Sequence, residues 1–144
     1  MTRKFSYQRI LPFGIVIVVI VLPAAIIFQP LWAVTWINYK LNRTGNWAVK
    51  NTPALVAESH GLLHKSIASN STWFGNDPTL PPHINQIKAS YISRLQGDNA
   101  MQYMITGGLY HTGLVIVDDP TTFTEQQVPF EAKQLNDHIW LFRE

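Results

Sequence analysis

The sequence predicts an α+β protein: a single N-terminal transmembrane helix followed by a small domain of two helices and a mostly antiparallel sheet. Three observations lead there. No charged side chain occurs between Arg9 and Lys40. Apolar residues then recur at helical spacing as far as Leu95. Beyond Gly97 the pattern alternates with the two-residue period of strands.

The uncharged run begins with Ile10 to Phe28, almost entirely Ile, Val, Leu, Ala and Phe. About 20 helical residues cover a hydrocarbon core of about 30 Å, so residues 10–29 are read as a membrane span. No A-x-A-like triplet follows Pro23-Ala24-Ala25, and Ile26 to Phe28 prolong the apolar run. An uncleaved signal-anchor is therefore favoured over a cleaved leader or a buried core helix. Pro12 falls in the first turn, where its missing N–H costs nothing. Pro23 is interior and frees a carbonyl, which a neighbouring helix from another protein would cover.

Arg3, Lys4 and Arg9 flank the span on one side, and Lys40 and Arg43 lie farther off on the other. That asymmetry places residues 1–9 in the cytoplasm and exports the rest, into a bacterial periplasm as the first expectation. Residues 30–52 are read as an interfacial segment or linker. Its rings, Trp32, Trp36, Tyr39 and Trp47, are of the kind that settle at lipid headgroups, and Leu31 to Leu41 can continue as a helix.

The exported domain is expected over residues 53–144. Thr52-Pro53 reads as N-cap and first helical position. Leu55, Val56, Leu62, Leu63 and Ile67 give that helix an apolar stripe through about Ala68. A turn-rich loop with Trp73-Phe74 and several Gly and Pro residues precedes a second expected helix, His83 to Gln96, with Ile84, Ile87, Tyr91, Ile92 and Leu95 on one face. Met101–Thr106 and Leu109–Val117 read as strands about Gly107-Gly108. Val128, Phe130 and Ala132 alternate with Pro129, Glu131 and Lys133, and Pro129 marks an edge strand. His138 to Arg143 completes the sheet. Helices first and strands afterwards is the order of an α+β domain.

Residues 1–57 hold six basic and no acidic side chains, whereas residues 58–144 hold five Lys and Arg against nine Asp and Glu. The basic part suits anionic headgroups, and the acidic part argues against nucleic-acid binding. The absence of cysteine rules out disulfides, thiolate metal sites and a cysteine nucleophile.

His60 and His64 stand four apart on the first domain helix, so both imidazoles can face one metal. A zinc hydrolase would place glutamate directly after the first histidine, and here that residue is Gly61. The pair is read as surface or interface histidines, with a membrane-anchored metal-binding protein or hydrolase as the alternative. No G-x-S-x-G turn or phosphate loop occurs. Asp118 and Asp119, beside Pro120 and Thr121, are read as turn caps rather than calcium ligands.

The sequence thus points to a non-catalytic single-pass subunit or assembly factor without a cofactor. Its expected partners are the lipid bilayer and integral membrane proteins of a larger complex. The expected contact residues are Pro23, Trp32, Trp36, Trp73, Phe74 and Trp140, because large rings in loops and on sheet faces are good anchors.

Overall fold

The computed structural model describes residues 22–69, 71–95, 99–106, 111–128 and 131–143. Most of the expected span, residues 10–21, lies outside the described residues. Among the described residues no helix is long and apolar enough to cross a membrane, so the transmembrane part of the expected architecture draws no support from them. The α+β class is borne out, among the described residues, by three α-helices and one six-stranded antiparallel sheet. The chain divides into two compact units, residues 1–38 and 39–144. The described part of the first unit is residues 22–38 of helix α1 (Leu22–Lys50).

Helix α2 (Thr52–Ser69) follows α1 after a single residue, Asn51. Here the structure corrects the expected role of Thr52. Its hydroxyl does not cap α2 but donates backwards, to the carbonyl of Val49 at 2.8 Å. The next residue is Pro53, which has no N–H to offer the carbonyl four positions earlier; that carbonyl is Val49's. Thr52 thus supplies the hydrogen bond that Pro53 cannot. Asn136 Nδ2 also donates to the Thr52 hydroxyl, at 2.9 Å, and ties this junction to the sheet.

The sheet runs β1-β2-β3-β4-β6-β5 with every neighbouring pair antiparallel. Its strands are β1 (Trp73–Phe74), β2 (Tyr91–Arg94), β3 (Ala100–Thr106), β4 (Thr112–Val117), β5 (Glu131–Asn136) and β6 (Ile139–Arg143). All six residues of β4 are buried. Alternation sends Leu114 and Ile116 to a core shared with Leu41, Ala48, Leu55 and Leu62 of the helices. Val115 and Val117 go to a smaller cluster with Phe123, Val128 and Phe142. Burial on both faces explains why β4 reads as a continuous apolar run. Gly113 is required there, because a Cβ would run into the Tyr103 carbonyl and come within 2.8 Å of the Phe142 ring.

The helix expected over His83 to Gln96 is the main correction. Helix α3 spans only Pro82–Ile87 and ends on Lys88, whose φ of 56° is left-handed. Tyr91–Arg94 then forms β2 between β1 and β3, with Ile92 opposite both Trp73 and Tyr103. Tyr91 and Ile92 favour strands, and the edge of β3 offers hydrogen bonds that a helix end would leave to water. Trp73-Phe74, expected in a loop, is the short edge strand on that side.

The later strands lie close to expectation. The strand expected from Leu109 is described from Thr112, since residues 107–110 lie outside the described residues. The strand expected from Val128 is described from Glu131: Val128 closes a short 3-10 turn (Glu125–Gln127), and residues 129–130 are outside the described set. That strand, β5, lies at the edge of the sheet.

Candidate functional site

The middle of α2 carries a run of polar side chains. Three consecutive residues, Glu58, Ser59 and His60, each reach a different distant element. Glu58 accepts the backbone N–H groups of His83 at 3.0 Å and Ile84 at 2.9 Å, and its Oε1 lies 2.7 Å from His83 Nδ1. The carboxylate thereby satisfies the first free N–H groups of α3, a task no side chain of α3's own N-cap performs. Ser59 and Tyr103 share a buried hydrogen bond of 2.7 Å. Burial pushes the Tyr103 phenol well above its ordinary pKa, partly offset by the Ser59 contact, so it is a neutral structural group at physiological pH.

His60 lies between two partners. Its Nδ1 is 2.9 Å from both carboxylate oxygens of Asp118, at the end of β4. Its Nε2 is 3.0 Å from Nε2 of His64, and the two rings meet edge to face with centroids 4.3 Å apart. The result is a carboxylate–imidazole–imidazole row across the surface of α2. With Asp118 as acceptor, the neutral His60 ring carries its hydrogen on Nδ1, and its Nε2 lone pair then faces His64. Beside this row is an open groove of about 530 Å³ lined by Pro53, Val56, Ala57, His60, Asp118 and His138. His138 Nδ1 donates to the Val117 carbonyl at 2.8 Å.

The turn-cap expectation separates two neighbours. Asp119 Oδ1 accepts from the N–H of Thr121 at 2.9 Å and from its hydroxyl at 2.6 Å, which lowers the Asp119 pKa. Asp118 does not cap the turn; it is the partner of His60. Among the described residues no three His, Cys, Asp or Glu side chains converge as a metal cage.

The six expected contact residues are scattered. Pro23 lies in the described part of α1, and its side chain is outside the described set. Trp32 and Trp36 are 77% and 58% exposed on α1. Phe74 is 61% exposed and tilts against Tyr91. Trp73 is placed differently from expectation: it is 8% exposed and belongs to the main core, because strand pairing sets it opposite Ile92. Trp140 is half-buried against Phe123 at 5.8 Å between ring centroids, and its Nε1 has no acceptor among the described residues.

Asp118 and Glu58 are the residues that sequence reasoning missed as partners of histidines. Each contact joins positions 25 or more apart in the chain, and no local spacing signals it. Comparison with protein-family models, curated proteins and solved structures finds no match.

Proposed function

We propose that this protein is a non-catalytic single-pass membrane subunit or assembly factor that works by association. Residues 10–29 form its membrane span, residues 1–9 face the cytoplasm, and the α+β domain is exported, in a bacterium to the periplasm. Its partners are the bilayer and integral membrane proteins of a larger complex.

The observation that carries this reading is the pair of exposed rings on α1. Trp32 and Trp36 are one helical turn apart and come shortly after the apolar stretch Ile10 to Phe28. A soluble helix gains nothing by holding two tryptophans in water, whereas headgroups or a partner helix remove about 150–250 Å² of ring surface from it. Leu31 and Tyr39 are exposed on the same helix, and six basic residues without an acidic one accompany it through residue 57. On the domain, exposed Phe74 is a further contact for a partner, whereas the Trp140 indole N–H is itself buried.

A reporter fused after Glu144 tests the arrangement. Activity on the exported side is expected, and activity in the cytoplasm would overturn it. Changing Trp32 and Trp36 together to Ala is expected to weaken association without unfolding the domain. The metal-binding alternative rests on other atoms, the two imidazoles of α2.

A further inference from the structure

We propose that His60 and His64 chelate a divalent late first-row transition metal, copper(II) foremost, through their two Nε2 atoms, with Asp118 as the outer-shell carboxylate that orients His60. The ligands stand one turn apart on α2, inside the 18-residue helix and not at its frayed end. A rigid helical turn keeps the two rings on one side of the chain at little further entropic cost.

The geometry has three parts. First, the nitrogens converge: Nε2 to Nε2 is 3.0 Å. Metal–imidazole bonds of about 2.0–2.1 Å then give an N–metal–N angle of about 95°. That is near the cis angle of about 90° in tetragonal copper(II) and short of the tetrahedral value of about 109°. Second, both Asp118 oxygens lie 2.9 Å from His60 Nδ1. This is the carboxylate–histidine arrangement that fixes a ligating tautomer and raises the basicity of the nitrogen facing the metal. Third, the site is open. The His60 side chain is 51% exposed, and no third His, Cys, Asp or Glu closes the shell among the described residues. Water, or a donor atom from a bound molecule, completes the coordination.

Without metal, the same 3.0 Å contact is a hydrogen bond from His64 Nε2–H to the His60 lone pair. Loading requires both Nε2 atoms to be bare, so neutral His64 then carries its hydrogen on Nδ1. Atoms and charge balance with no redox step. His83 and His138 also have an engaged Nδ1, on Glu58 and the Val117 carbonyl, but neither stands four residues from another histidine.

The test uses the full-length protein in mild detergent, stripped with chelator and titrated with copper(II) and separately with zinc(II). Calorimetry gives stoichiometry, and electron paramagnetic resonance gives the nitrogen couplings. One copper(II) per chain with couplings from two imidazoles is expected, and zinc(II) should bind more weakly. His60→Ala and His64→Ala should each abolish saturable binding with unchanged far-UV circular dichroism, since both side chains lie at the surface. Asp118→Ala should weaken copper(II) about 10–100-fold, and His111→Ala should leave it unchanged. No saturable binding by the unaltered protein, or binding that survives His64→Ala, would overturn the proposal. Because these residues lie apart from Trp32 and Trp36, failure here leaves the association reading untouched.

Discussion

Ser59 shows how a single hydroxyl can hold a buried ring in place. Tyr103 is fully buried, and among the described residues its phenol is hydrogen-bonded to the Ser59 hydroxyl at 2.7 Å. Ser59→Ala leaves that phenol unsatisfied and is expected to cost about 1–3 kcal/mol, read as a lower urea midpoint at unchanged slope. Adding Tyr103→Phe removes the orphaned group, so the double variant should lose less than the two single losses combined. At the surface, Asp77 and Asp119 have lowered pKa values because Thr79 and Thr121 donate to them, through the hydroxyl first and the backbone N–H second. A carboxylate depressed in the folded state stabilises fully above its unfolded pKa. Both turns should therefore loosen as the pH falls below the ordinary value of 3.8. Amide exchange at Thr79 and Thr121 should speed up in that window, and protection that persisted through it would contradict the account. The residue scale also marks the limit of sequence reading. The four-residue spacing of His60 and His64 is visible in the chain, but their link to Asp118 exists only once α2 lies along the end of β4.

At the scale of elements, boundaries were legible where apolar spacing and turn residues agreed, as over α2 and β6. The segment after Pro82 misled because Ile84, Ile87, Tyr91, Ile92 and Leu95 fit a helical stripe while also serving a helix that stops and a strand that starts. The stop is a backbone event at Lys88, a residue with no propensity for left-handed φ. Lys88→Gly is expected to keep or raise stability by up to about 1 kcal/mol, while Lys88→Val should lower it, since a β-branched residue resists that conformation. Equal stability of the two variants in thermal melts would show that the turn is not strained. In β4, Gly113→Ala should destabilise by about 1–3 kcal/mol, because its Cβ would meet backbone in one direction and the Phe142 ring in the other. The strand expected around Pro129 reads as an edge strand, and β5 does lie at the edge, although Pro129 itself is outside the described residues. The edge position of β1 was not legible, because two residues in a Gly- and Pro-rich stretch carry no periodicity.

For the whole molecule, the division of charge and aromatic surface matters more than any one site. Residues 1–57 hold six basic side chains and no acidic one, and residues 58–144 are acidic in balance, the asymmetry on which the proposed anchored subunit rests. Trp73 shows that ring size alone does not identify a contact residue, since strand pairing puts it in the core while its neighbour Phe74 stays outside. The reading therefore leans on Trp32 and Trp36. Its most direct test is to extract the full-length protein in mild detergent, determine the mass and composition of the particle, and repeat this with Trp32→Ala/Trp36→Ala. Association predicts a stoichiometric integral membrane protein in the particle, lost or strongly depleted in the double variant. A lone protein in both preparations, or a complex indifferent to the two rings, would contradict it.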